Sequence, residues 1–381
     1  MVSRIDGGPI ANWWWTIDRS ILAACLLLMG IGLLLSFAAS PSVAHRIGIA
    51  DNFHFVKLHI KYILPAFFVM IIVSFMDPHN IRCCCLLLLG ITMVLMILTL
   101  FAGIEIKGAR RWISLLAFTI QPSEFMKPAF IVILAWLFAK QKGHHNMLGY
   151  LLAMVLYAVC VFLLVLEPDI GQTVLISVTG FALFFLAGVS QIIILLFLGF
   201  IIVGGISAYI VFDYVRERIK GFLTGDGNTF QVDVGREAII NGGWFGQGPG
   251  EGTVKRIIPD SHTDFVFSVA AEEYGIVLCM LIVGLFTFIV IRSLFIAIKE
   301  HEHFIRFSTA GLAMLFGFQS IVNMAVNLHL VPPKGMTLPF ISYGGSSLVA
   351  VAFAMGALLA FTRKRPEARM SASLSNMVIT V

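Results

Sequence analysis

Five ionisable side chains crowd the stretch IPDSHTDFVFSVAAEEYG, residues 257–274: Asp260, His262, Asp264, Glu272 and Glu273. A carboxylate in such a place can take the proton from an attacking hydroxyl. A second stretch, IEIKGARRWISLLAFTIQPSEFMK at 104–127, places Arg110 and Arg111 beside Trp112, then Glu124 and Lys127. Arginine suits phosphate because its planar donors meet two oxygens at once. The short LEPDIGQT segment at 166–173 brackets a turn with Glu167, Asp169 and Gln172. Residues 213–264 add Arg216, Arg218, Lys255 and Arg256 around a glycine-rich NGGWFGQGPGEG.

These groups stand out because the chain around them is oily. Of 381 residues, 12% are Asp, Glu, Lys or Arg and 59% are hydrophobic, with a mean hydropathy of +0.94. Soluble domains carry about 25% charged residues. Apolar runs long enough to cross a bilayer recur along the whole length. Ten spans are expected, near 17–40, 60–76, 82–102, 123–139, 147–166, 171–187, 190–212, 265–291, 306–330 and 345–362. The expected class is an all-α polytopic membrane protein, a single domain over 1–381. It has one large loop at 213–264 and a tail at 363–381.

An even number of spans puts both termini on one side. Lys and Arg decide which side that is. The terminus side holds 12 and the opposite side 13, but nine of those 13 fall in the loops at 104–121 and 213–264. Setting those loops aside leaves 12 against 4, so both termini are expected in the cytoplasm. Two basic loops on the outer face then run against the topology rule, which points to an anionic ligand. Contact with lipid headgroups, or pairing with Glu217 and Asp233, fits the same residues. A net charge of +5 reflects basic loops and argues for membrane lipids, not nucleic acid, as the partner. The six cysteines lie in or beside apolar runs without zinc-type spacing and read as buried thiols. The first apolar run is followed by many others and reads as an uncleaved helix, with Trp13, Trp14 and Trp15 as an interfacial anchor.

The elements around the candidate groups follow local rules. Pro122 suits the first turn of a helix, and Glu124 complements its dipole. Lys127 shares the face of Glu124. A charge one turn inside a span is functional by default, and a structural ion pair joining helices fits equally. The glycine-rich segment lacks the strand and helix of a nucleotide-binding unit. Its glycines instead let backbone approach closely around Trp244 and Phe245, while REAIINGG can form a short helix on the membrane surface. If the chain is helical from Asp264, Glu272 lies about 12 Å deeper and Glu273 points nearly opposite. Neither forms a close pair with Asp264 through that helix. Near 339–347, PFISYGGSS interrupts the apolar pattern. Ser342 and its neighbours there serve either a headgroup or tight helix packing.

Taken in order, KGARRWISL, QPSEFMK, EPDIGQT, NGGWFGQGPGEG, PDSHTDFVFSVAAEEYG and LVPPKGMTLPFISYGGSS make the chain resemble the SEDS family of polytopic peptidoglycan polymerases over nearly its whole length. PPKGMTLPFISYGGSS is more similar to the cell-division branch than to the elongation branch. The resemblance implies glycosyl transfer at the outer face of the cytoplasmic membrane, with lipid II as substrate. Asp264 matches the essential acid of the family and would act as general base. Arg110, Arg111, Lys127, Arg216, Arg218, Lys255 and Arg256 form the pool of cations for the leaving pyrophosphate. Glu124, Asp169, Gln172, His262 and Ser342 complete the expected substrate-binding set. A divalent cation, Mg or Mn, could share the charge, but Asp264 alone makes a poor metal site. The implied partners are a class B penicillin-binding protein and other division-site membrane proteins, at the septum. A lipid II transporter or a non-catalytic division scaffold is the competing reading.

Overall fold

The computed structural model describes residues 8–106, 109–115, 118–141, 148–224, 230–332 and 335–364. Eight of its helices are long and apolar enough to cross a membrane: α2 Arg19–Ile47, α3 His54–Phe75, α4 Pro78–Ala102, α5 Pro122–Gln141, α6 Leu148–Leu166, α8 Gln191–Val211, α11 Val266–Lys299 and α12 His303–Asn327. Two shorter apolar helices, α7 Ile170–Leu186 and α13 Ser346–Phe361, occupy the other two expected spans. At about 1.5 Å per residue each reaches about 25 Å, short of the hydrocarbon thickness of about 30 Å. α13 compensates by burial: it is covered along almost its whole length, packed on α3, α5 and α12. α5 and α12 are also mostly buried, whereas α8 exposes Ile192, Leu195, Phe200, Val203 and Ile210, an apolar surface suited to lipid.

The two ends of the chain meet. Helix α1, Pro9–Thr16, precedes the first span. Lys364 donates its backbone N–H to the Thr16 carbonyl at 3.0 Å, and Arg363 Nε donates to Thr16 Oγ1 at 3.0 Å. The tryptophans divide: Trp13 is buried, donates from Nε1 to Ser74 Oγ at 2.8 Å and stacks on Phe75, while Arg19 lies over the exposed Trp14 and Trp15. Asp18 caps α2 through the N–H groups of Ser20 and Ile21 and receives Arg292 Nη2 of α11 at 2.8 Å.

The two basic loops depart from the all-helical expectation. Between α4 and α5, three short strands, β1 Ile104–Ile106, β2 Ala109–Leu115 and β3 Phe118–Ile120, form an antiparallel sheet in the order β1-β2-β3. Gly108, expected at a turn, lies outside the described residues, as does Lys107. The large loop folds into α9 Asp213–Thr224, α10 Phe230–Gly242 and a single 3₁₀ turn at Val254–Arg256. The expected helix at REAIINGG is the C-terminal part of α10, and it packs along α11.

Helix α11 is broken at Gly275, where φ is 76° and ψ is −175°. Cys279 Sγ lies 4.0 Å from the Phe267 carbonyl, although a straight helix would put their positions about 18 Å apart. The break frees backbone groups that lipid cannot satisfy. The glycine-rich segment satisfies them: Ile276 N–H donates to the Gly243 carbonyl at 3.0 Å and Val277 N–H to that of Trp244 at 3.3 Å. In return the Glu272 and Glu273 carbonyls accept from Gln247 at 2.8 Å and Gly248 at 3.1 Å. Such contact leaves no room for side chains: a Cβ on Gly275 would stand 2.2 Å from the Trp244 carbonyl oxygen, and one on Gly242 would stand 1.9 Å from that of Ala271. Gly275→Ala should therefore lose about 1–3 kcal/mol from the backbone conformation alone, before the clash is counted. Denaturation in detergent checks this against Gly284→Ala, where a Cβ meets nothing within 4 Å and no such loss is expected.

Candidate active site

Asp264 lies in a turn ahead of α11, not within the helix, because the helix starts at Val266. The Asp260 carbonyl, at a residue with φ of 54°, accepts the N–H groups of Thr263 and Asp264. The carbonyl of Asp264 itself is held by two asparagines of α12: Asn323 Nδ2 at 3.0 Å and Asn327 Nδ2 at 2.9 Å. Asn327 also accepts from Ser268 N at 3.1 Å and Ser268 Oγ at 2.8 Å, fastening the first turn of α11. The Asp264 carboxylate is half-buried, and Gly335, at φ of 64°, passes close enough that a Cβ would stand 3.7 Å from Oδ2.

Glu272 and Glu273 face elsewhere: the helix that carries them starts at Val266 and is regular up to Gly275, and both carboxylates are engaged by the large loop. Glu272 accepts the backbone N–H groups of Val254 and Lys255, both at 2.7 Å. Glu273 accepts from Gly250 N at 2.6 Å and pairs with the buried ammonium of Lys255. Lys255 is thus tied to the fold of the large loop and is not presented at the rim beside Asp264. Arg216 pairs with Asp213 on α9, and Arg110 lies 3.4 Å from Glu105 on the exposed sheet. Arg256 is exposed at the end of the 3₁₀ turn. The side chain of Arg218 lies outside the described residues.

Inside the bundle, the expected Glu124–Lys127 pair forms at 2.9 Å and is almost fully buried. Glu124 accepts from Gln172 Nε2 of α7 at 2.6 Å and from Ser347 Oγ of α13 at 3.0 Å. Lys127 donates to Gln319 Oε1 of α12 at 3.2 Å. Gln319 Nε2 donates to the Thr337 carbonyl at 3.1 Å, and the Thr337 hydroxyl meets Ser347 Oγ at 2.9 Å. Asn323 reaches the same loop through the Met336 carbonyl at 2.6 Å. The Met336–Thr337 backbone therefore joins the contacts of Lys127 to those of the Asp264 carbonyl.

A second branch starts at the sheet. Arg111 donates to the carbonyls of Glu167, at 2.9 Å, and Pro168, and its Nη1 lies 3.6 Å from Asp169 Oδ1. Asp169 Oδ2 accepts from Gln121 Nε2 at 3.1 Å, and Gln121 N–H donates to Ser346 Oγ at 3.1 Å. The Glu167 carboxylate accepts from the Thr99 hydroxyl of α4. Burial pushes the Glu167 carboxyl up to about 8; the Thr99 hydrogen bond opposes this, Asp169 adds to it and Arg111 opposes it. Burial also raises Asp169, against the pull of Arg111.

Two expected binders have local roles. Ser342 Oγ accepts the Leu338 N–H at 2.9 Å and locks the turn at 338–342. His262 stacks with Tyr343, ring centroids 5.8 Å apart, and its carbonyl accepts the Tyr343 N–H at 3.0 Å. Gln319, Asn323 and Asn327, spaced four apart along α12, are the residues that composition did not single out. Their period in an apolar span was the available signal. No three His, Cys, Asp or Glu side chains among the described residues converge on a point that would hold a metal. The candidate residues therefore do not fit a protein-caged divalent cation. The large cavity of about 2080 Å³ is separate from this network. It follows α11 from Phe267 to Lys299 with mostly apolar walls.

Removing one partner of a buried ion pair leaves an uncompensated charge. Lys127→Met should lose about 3–5 kcal/mol, and Lys127→Met with Glu124→Gln should recover most of it, in a denaturation cycle in mixed micelles. Glu167 should make stability pH-dependent. Its folded form keeps a proton that the unfolded chain releases above about 4.5, so its contribution is complete below that value and lost as pH rises through about 8. Thermal midpoints across that window should fall for the native chain, and Glu167→Gln should flatten this part of the slope.

The model of a family described as cell cycle protein, covering FtsW, RodA and SpoVE, matches residues 18–367. A probable peptidoglycan glycosyltransferase FtsW of Caulobacter vibrioides is 46% identical over 368 residues, 96% of this chain and 94% of that one. Its counterpart in Trichlorobacter lovleyi is 35% identical over 356 residues, 90% of this chain and 92% of that one. Among solved structures, a chain from work on coordinated polymerization and crosslinking by a peptidoglycan synthase complex aligns with a TM-score of 0.76 and 26% identity, covering 91% of this chain and 97% of its own. The rod shape determining protein RodA of Thermus thermophilus aligns with a TM-score of 0.68 and 25% identity, covering 92% and 97%. A polar network buried in apolar helices, the motifs along the chain and these likenesses agree: the chain belongs to the FtsW, RodA and SpoVE family of cell cycle proteins.

Proposed function

We propose that the protein is a peptidoglycan glycosyltransferase that polymerises lipid II at the outer face of the cytoplasmic membrane during septal wall synthesis. The observation that carries this reading is the grip of Asn323 and Asn327 on the Asp264 carbonyl, which fixes a half-buried carboxylate through its backbone. The names of the relatives in Caulobacter and Trichlorobacter support the same activity. In this reading the chain crosses the membrane ten times, α7 and α13 included, with both termini in the cytoplasm.

The reaction joins a sugar hydroxyl to the anomeric carbon of a lipid-linked sugar. As the new C–O bond forms, Asp264 takes the hydroxyl proton. The bond from the anomeric carbon to the pyrophosphate oxygen breaks, and its electron pair leaves on the pyrophosphate. That group is already a stable anion and needs no acid. It needs positive potential, fixed in advance. Arg110 and Arg256 supply it at the surface, and Arg111 and Lys127 from the network. No step is assigned to a metal ion. The partners are lipid II, a class B penicillin-binding transpeptidase and other division-site proteins.

Purified protein with its transpeptidase, mixed with lipid II in detergent, should make glycan polymer. Asp264→Asn should reduce the rate by about 10²-fold or more. An unchanged rate would remove Asp264 as the base. Movement of lipid II across vesicles without polymer would favour the transporter instead.

A further inference from the structure

The Gly243–Gly248 segment presents two large side chains outward. Trp244 is 65% exposed and Phe245 84% exposed, and Ile240, at the end of α10, is 70% exposed. The backbone beneath them is firmly held: it is bonded to Ile276 and Val277 on one side of the α11 break and to the Glu272 and Glu273 carbonyls on the other. A well-anchored backbone carrying outward aromatic side chains is built to present them to something.

The position along α11 identifies what they meet. From Ile276 to Ile291 the helix carries no charge, and Arg292 ends the run at the cytoplasmic rim, paired with Asp18. That run is about 24 Å long, so in a hydrocarbon layer of about 30 Å, Gly275 lies within its outermost several ångströms. Glu272 and Glu273 just before it are buried in protein and engaged by the large loop. Val277, Met280 and Leu281 just after it are exposed and apolar, facing the acyl chains. Trp244 and Phe245 are stitched to that boundary. Trp is at home at the junction of headgroups and hydrocarbon, with its ring apolar and its N–H wet.

We infer that Trp244 and Phe245 form an anchor in the outer leaflet that fixes the large loop, and with it the Asp264 turn, at a set height above the bilayer. The occupant is the lipid surface itself, continuous with the lipid around the exposed face of α11. Height matters because the substrate is lipid-linked: its anomeric carbon sits one pyrophosphate above the membrane plane. The same break binds the anchor to Glu272 and Glu273, and the short arm Val266–Tyr274 joins the break to Asp264. The anchor rests on the exposed aromatic pair, its backbone bonds and the proposed orientation; its role in placing Asp264 rests on the proposed polymerase activity.

Tryptophan fluorescence in reconstituted phosphatidylcholine vesicles tests the anchor without any turnover. The component lost in Trp244→Phe should be blue-shifted from indole in water. Acyl chains brominated near the headgroup should quench it more than chains brominated near the methyl end. Emission like that of water-exposed indole, quenched by aqueous iodide and by neither lipid, overturns the anchor. So does shielding that appears only when the transpeptidase is added, which would make the surface a protein contact. The height role is read separately. Trp244→Asp combined with Phe245→Asp should slow lipid II polymerisation several-fold in vesicles and little in detergent, where no membrane plane exists. Equal loss in both overturns that role. If the native chain makes no polymer, the polymerase reading fails and the quenching result stands.

Discussion

The Glu124–Lys127 pair constrains much of this bundle. Two charges taken out of water cost several kcal/mol each unless they are paired and their remaining hydrogen-bonding positions are filled. The pair lies within one helix, so it could have formed without tertiary help. Its cage could not. Gln172, Ser347 and Gln319 come from α7, α13 and α12, and each must arrive at a particular turn of α5 for the charges to be tolerated. Apolar packing between these helices would allow many registers. The buried charges penalise all but a few, which is how a weakly directional interior acquires a defined register.

The same need for satisfaction extends to the backbone. Two places interrupt regular helix around the site: Gly275, and the 335–345 connection, where Gly335, Phe340 and Gly345 all have positive φ. Neither is left open. The glycine-rich segment closes the ladder at Gly275, and side chains of α12 and Ser342 reach the carbonyl and amide groups of the connection. Irregular backbone at this depth survives only when protein groups replace the missing partners. The large loop is therefore part of the bundle's hydrogen bonding. Its length was legible as a sign of function, and the structural work of its glycines is close approach.

What the amino-acid order revealed follows from what is local. All ten apolar runs became helices near their expected places, because hydrophobicity over twenty residues needs no knowledge of neighbours. The Glu124–Lys127 pair was legible for the same reason: three residues apart on one helix face. The sheet at 104–120 was not, since its strands are short and flank turns. Lys255 looked like a surface cation because it sits in a polar loop, yet Glu273, eighteen residues on, encloses it. That pairing depends on the break at Gly275 folding the loop back on α11. Gln319, Asn323 and Asn327 kept a visible helical period, but their meaning came only from the carbonyls they reach.

The arrangement separates holding from reacting. Asp264 is positioned through its carbonyl and the turn that begins at Asp260, so its side chain is not the group that fixes the turn to α12. Arg111 and Lys127 are the reverse: their donors are engaged with carbonyls, carboxylates and an amide of the scaffold. Fixed in this way they contribute potential that needs no rearrangement when charge develops on a leaving group, which is the condition under which electrostatic stabilisation is strongest. In the proposed reaction a carboxylate held through its backbone carbonyl takes the proton, while cations held through their donors supply fixed positive potential to the departing anion.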